Sequence, residues 1–409
     1  MTSTLRRSVR NALRITVAGL CCVGIWNSLQ FARADRLFRE DDEQSLRKAI
    51  HIEPDSWLYY MRLADFDHVH SRELLDTAVR LDRYNALVNV ELGRQYEADG
   101  DYSRAEKSYL AAYDVDRTYP PRWNLAAYYL RRNNMPAFWS WARIAAQMPP
   151  DDIDPLFEIC WQAAPDPEKI ANTVLVHETP ALVHQYVAFL LRKGQFAVAA
   201  TFAHQLARMG TSDNDRSLLL SVVDRLVAAN QATAANALWH SLIVRNWVIA
   251  DEGVPNNSHF LREPIPVSFD WSFPEYDGLH SWPGPSGLET EFTGSEPEDC
   301  TVAEQVVTLA PGDYTMTYTY HSADIPPDAG LHWRIVDASS NSIIATSPDL
   351  SSDSETHSTL SFTVPPASSL LWLRLDYQRA LGTTRIAGTS MVISTQIKAN
   401  PKHDMPTMQ

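Results

Sequence analysis

Residues 86–119 read ALVNVELGRQYEADGDYSRAEKSYLAAYDVDRTY, and this stretch decides the fold of about half the chain. With Ala86 as position 1, Leu92 and Gly93 fall at 7 and 8, Tyr96 at 11 and Gly100 at 15. Tyr102, Ala105, Tyr109 and Ala112 follow at 17, 20, 24 and 27 of a 34-residue unit. Small residues at 8 and 20 let two helices approach closely, while the large residues around them fill the remaining space. Gly100-Asp101 supplies the turn between them. The spacing predicts a helical hairpin.

The same spacing recurs on both sides. A unit starting at residue 120 places Trp123 at position 4 and Ala126, Ala127 and Leu130 at 7, 8 and 11. Downstream, Tyr186, Leu190, Gly194, Phe196, Ala199 and Ala203 fit one unit, and Val222, Leu226, Asn230, Ala235 and Trp239 the next. Upstream, Ala49 and Pro54 end an earlier unit, and 57–84 form a shortened one. This pattern resembles the tetratricopeptide (TPR) repeat, with Arg117 standing where the family usually has Pro. The resemblance implies all-α repeats over 36–249, interrupted at 151–180 by Pro155, Pro165, Pro167 and Pro180. Such repeats stack to form a groove lined by the first helix of each hairpin. Arg94, Glu97, Asn124, Tyr128 and Arg131 are then the candidate protein-binding residues. The alternative for each is a solvated helix face.

Beyond Trp247 the composition changes. Residues 250–266 hold Gly253, Pro255, Asn256-Asn257, Pro264 and Pro266, which reads as a linker. Over 267–398 the period becomes two, in 269–273, 314–320, 331–335, 360–364 and 371–375. This predicts an antiparallel β-sandwich of jelly-roll type, and 399–409 reads as a disordered tail. If Leu371, Leu373 and Leu375 point inward, Trp372, Arg374 and Asp376 form an outward row, and His332 and Arg334 oppose Leu331 and Trp333. An exposed Trp beside charged groups is sugar-binding chemistry, so these five residues, with Trp282, are the candidate glycan site. The alternative for Trp372 is burial under a loop.

The formal net charge of −15 is uneven. Residues 1–39 carry seven Arg against one Asp, a local +6, leaving −21 for the rest. Residues 266–398 hold 17 acids against five bases, giving −12. Such a surface repels phosphate backbones, so nucleic acid is not an expected partner. Arg6, Arg7, Arg10 and Arg14 precede an apolar run from Ile15 to Trp26. Extended over 13–31 it reads as a membrane span with the bulk of the chain in the periplasm. Its rival is a signal peptide over 1–34, cleaved at Ala32-Arg33-Ala34. Cys160 and Cys300 read as buried thiols, with a bridge between them left open.

The layout of short span, TPR array and sandwich, with the run from Arg33 to Phe38, resembles bacterial envelope proteins encoded beside O-antigen ligases and exopolysaccharide machinery. That implies a scaffold in polysaccharide assembly or export, with envelope proteins as partners. A glycan-binding module and a glycan-active enzyme are the alternatives. No phosphate-binding loop, G-x-S-x-G elbow or H-E-x-x-H occurs, so no catalytic residue and no cofactor is assigned. The nearest metal-like cluster, Asp65, Asp67, His68 and His70, lies at an inter-helix turn, where such residues cap helices.

Overall fold

The computed structural model describes residues 2–175, 178–251, 253–380 and 382–401. The chain divides into two compact units, 1–177 and 178–409. The boundary does not follow the composition change at 250.

The first unit is helical: α1 (Thr2–Arg39), α2 (Glu43–Ile52), α3 (Trp57–Ala64), α4 (Ser71–Leu81), α5 (Ala86–Ala98), α6 (Tyr102–Val115), α7 (Tyr119–Arg131), α8 (Met135–Ala146), α9 (Asp154–Ala163) and α10 (Pro167–Val174). Local chemistry sets the ends of the central hairpin. The side chains of Asn85 and Asp101 accept from the Val88 and Arg104 amides, capping α5 and α6. Gly100 turns the chain at φ +79°, where a side chain is strained. The small residue at Gly93 is required by packing, because a Cβ there would lie 2.9 Å from the buried ring of Tyr109.

The next hairpin follows at 33 residues, not 34. Tyr119 opens α7 as Ala86 opens α5, and Asn133 at φ +53° takes the turn. Leu125 and Ala126, both fully buried, are therefore the counterparts of Leu92 and Gly93. The expected register was one residue late, because the connection before α7 is one residue shorter than the repeat consensus.

The C-terminal end of α1 packs through Ala34, Leu37 and Phe38 against Ala49 and Tyr59. Among the described residues no helix is long and apolar enough to cross a membrane, so the span expected over 13–31 finds no support. The clean apolar run of 12 residues rises only about 18 Å, against about 30 Å of hydrocarbon. Widening it admits Arg14, Asn27 and Gln30.

The second unit opens with the hairpins α11 (Pro180–Arg192)–α12 (Phe196–Met209) and α13 (Asp213–Ala228)–α14 (Ala232–Val244), turning at Gly194 and Asn230. An antiparallel sandwich follows: β1 (Leu279–Gly284), β2 (Gly287–Thr293), β3 (Asp299–Thr308), β4 (Gly312–Ala323), β5 (Leu331–Asp337), β6 (Ile343–Thr346), β7 (Thr356–Val364), β8 (Leu370–Gln378) and β9 (Ala387–Ala399). The sheets run β1-β2-β9-β4-β7 and β3-β8-β5-β6. With β1 set aside and counting from β2, the orders are 1-8-3-6 and 2-7-4-5, a jelly roll.

The segment 269–273, expected as a strand, is instead a crossing. Phe269 packs with α13 and α14, while Trp271 enters the sandwich core beside Phe260 and Trp333. Nor do residues 253–266 run free. Val254 and Ser258 accept from the amides of Ile397 and Thr395, and Asn256 exchanges two hydrogen bonds with the buried Gln305 side chain. Proline and glycine shape this segment without loosening it.

Candidate functional site

In the first unit four of the five groove candidates form two pairs across α5 and α7, Arg131 with Glu97 and Arg94 with Asn124. Arg131 makes a fork to Glu97, Nε to Oε1 and Nη2 to Oε2, both at 2.7 Å. Tyr109 donates to the same carboxylate at 3.0 Å. Burial works to raise the Glu97 pKa, but the Arg131 pair outweighs it and holds the carboxyl below its ordinary value. Arg94 bonds Glu91 and the Asn124 carbonyl oxygen.

Asn124 and Tyr128 are buried, at 8% and 3% exposure, and their side chains donate to the carbonyls of Pro120 and Tyr102. They join neighbouring helices instead of facing a ligand. The one-residue shift of register explains this. Arg94 and Arg131 keep about half their side-chain surface, at 52% and 50%. Each keeps guanidinium N–H groups that these bonds do not use.

In the second unit, Trp372, Arg374 and Asp376 do alternate away from the core Leu371, Leu373 and Leu375. The face they share is nonetheless covered. Val306, Leu370 and Trp372 pack with Val267 and Phe269 against α13 and α14, where Trp239 lies 5.8 Å from Phe269. Asp224 on α13 accepts from both the amide and the hydroxyl of Ser268 at 2.7 Å, and Thr308 donates to Asn236 on α14.

The charged members of that row are matched internally. Arg374 pairs with Glu304 at 2.9 Å and lies over the Trp372 ring, 5.0 Å from its centroid. Arg334 and Thr301 both reach Asp376. His332 is buried beside Asp349, and burial, then the Arg334 cation, hold its pKa below the ordinary value. This row is an internal interface. It offers no open stacking platform.

Trp282 is placed differently. It stands on β1, the free edge of the five-stranded sheet, and is 41% exposed. Residues 273–277 lead into that strand, and Tyr276 and Leu279 close the turn at its start. Phe273, Glu275, Tyr276, Asp277, His280 and Trp282 line a cleft of about 520 Å³. Apart from Trp282, these residues escaped the sequence reading. Phe273 closed a supposed strand, and Tyr276 sits in no periodic run.

The remaining chemistry is structural. Asp67 accepts from His70 and Arg47, and Arg62 bridges Asp41 and Asp65. Among the described residues no group of His, Cys, Asp and Glu is placed to hold a metal ion. Cys160 and Cys300 are free buried thiols; burial raises both, Cys300 to about 12.

No protein-family model matches the chain, and no curated protein matches it. Among solved structures it is similar to the APC/C hetero-tetramer Cut9–Hcn1, at 12% identity over 53% of this chain, with a TM-score of 0.29. The chain spans 44% of that structure's length. It is also similar to YrrB, a TPR protein with an unusual peptide-binding site, at 12% identity over 50% of this chain and 93% of that one, TM-score 0.25. A CBM4 structure matches at 14% identity over 36% of this chain and 99% of that one, TM-score 0.29. These likenesses are too slight to argue from. The helical hairpins themselves, with small residues where two helices cross and left-handed turns between them, are TPR-like.

Proposed function

We propose that the protein is a non-catalytic scaffold of the bacterial cell envelope that holds a partner protein against the α5–α7 face. The observation that carries this reading is the Arg131–Glu97 fork. It fixes the first helices of two successive hairpins side by side and leaves Arg94 and Arg131 half exposed on the surface they share. A rigid face with unspent guanidinium donors suits a protein ligand with carboxylates or backbone carbonyls.

The test is a photo-crosslinking residue placed at position 94 of the full chain in its native cell. Lys107, exposed on α6, is the control position. A discrete protein adduct from position 94 that is absent from position 107 is expected. No adduct at 94, or the same adducts from both positions, overturns the reading.

A second contact is assigned to the sandwich, which we read as binding cell-envelope glycan in support of polysaccharide assembly or export. What favours this is the exposed Trp282 beside a cleft with further rings. The row at Trp372 carries no part of this reading, since the helices cover it. An envelope setting is supported by α1, whose apolar run is bare while its ends are basic. That combination attaches a helix at an anionic membrane surface without crossing it.

A further inference from the structure

We propose that the Trp282 cleft is the glycan site and that it selects neutral sugar chains over acidic ones; the proposal rests on the sandwich being the glycan-binding part.

Three rings, Phe273, Tyr276 and Trp282, line one cleft, and the most exposed of them stands at the sheet's free edge. The C–H face of a pyranose stacks on such rings, and the cleft's size suits one or two sugar units. Beside the rings stand hydroxyl-matching groups. Glu275 and Asp277 accept from sugar hydroxyls, while His280 and Ser281 both give and accept.

The outward row that holds Trp282 continues across the sheet. Antiparallel register places Trp282 opposite Glu289, Glu289 opposite Met391, and Met391 opposite His321. Trp282 and Glu289 point outward, since their neighbours Leu279 and Leu288 are in the core. The Glu289 carboxylate lies over Gly284, the next outward position on β1, so it crowds the edge of the Trp282 platform. Glu291 follows on the same face, two residues along β2.

Selection follows from charge. Two carboxylates, Glu275 and Asp277, line the cleft, and two more, Glu289 and Glu291, stand on β2 opposite Trp282 and His280. The surrounding region sums to −12. A uronate or phosphate on the ligand would enter this field at a cost, whereas a neutral hydroxylated chain would not.

The experiment is calorimetric titration of the full chain with neutral gluco-oligosaccharides, oligogalacturonate and an arginine-rich peptide. It is repeated on Trp282→Ala and Glu289→Gln, both surface changes whose folding is checked by circular dichroism. Neutral oligosaccharide is expected to bind the parent, to lose about tenfold or more in Trp282→Ala, and to exceed the acidic oligomer by a similar factor. Glu289→Gln is expected to narrow that preference. Neutral binding that survives Trp282→Ala overturns this site while leaving glycan binding by the sandwich intact. Equal affinity for the acidic oligomer overturns the selectivity. Binding of no sugar, or of the peptide alone, overturns both.

Discussion

Gly93 and Tyr109 show how a single pair sets a hairpin. The tyrosine ring is fully buried, held by Glu97 through its hydroxyl and packed 5.3 Å from the Tyr128 ring, so it has nowhere to retreat. Gly93→Ala is therefore expected to destabilise the protein by about 1–3 kcal/mol, read as a lower urea midpoint. An unchanged midpoint would mean that the helices part easily. Asp337 makes a different prediction. Its carboxylate accepts from Ser339 and Ser340, and these bonds, with one from Ser368, hold its pKa well below the usual range. A carboxyl depressed on folding stabilises above its unfolded pKa of about 4 and loses that contribution as pH falls below it. Asp337→Asn should thus be less stable than the parent at pH 7, with the gap narrowing steadily as pH falls below about 4; a gap independent of pH would remove the charge from the argument. The Gly93–Tyr109 match was legible in the sequence, because small and large residues at fixed spacing declare a close crossing. The burial of Trp372 was not. Alternation assigns a side chain to a face but says nothing of what covers that face.

At the scale of elements, what the sequence showed depended on unbroken periodicity. β4, β5, β7 and β8 alternate cleanly and were read. β3 was missed because a bulge between Thr301 and Ala303 breaks its period, and β1 because it holds Pro283 and Gly284. The linker expected at 250–266 and the strand expected at 269–273 differ from the structure because composition reports turns, and here the turns bring Phe260, Phe269 and Trp271 into cores. The helix α1 presents the opposite case, an apolar surface with no cover. Leu13, Val17, Leu20, Trp26 and Leu29 are all at least half exposed, flanked by arginines at both ends. Such a surface in water marks an interaction site. The full chain is expected to co-sediment with vesicles containing anionic lipid, more weakly as salt rises, and a chain lacking residues 2–33 is expected to stay in the supernatant. Equal sedimentation of both chains would place the membrane contact elsewhere.

For the whole molecule, the decisive result is that the compositional and physical boundaries differ. Composition divides the chain near 250, where helices give way to strands, yet α11–α14 and the sandwich share one apolar core containing Leu219, Trp239, Phe269, Val306 and Leu370. Cutting at 267 would bare Val306, Leu370 and Trp372 and remove the Asp224 carboxylate that Ser268 binds. Replacing one buried aromatic in such a core with Ala costs about 3–5 kcal/mol, and removing its whole helical side costs more than a domain's typical margin of about 5–15 kcal/mol can absorb alongside the lost hydrogen bonds. A fragment of residues 178–401 is therefore expected to unfold in one cooperative transition, while a fragment of 267–401 is expected to aggregate or to bind a hydrophobic dye without cooperative unfolding. If the shorter fragment instead melts sharply, at a temperature close to that of the longer one, the helices merely rest on the sandwich. The outward row at Trp372, Arg374 and Asp376 would then regain its claim to a ligand.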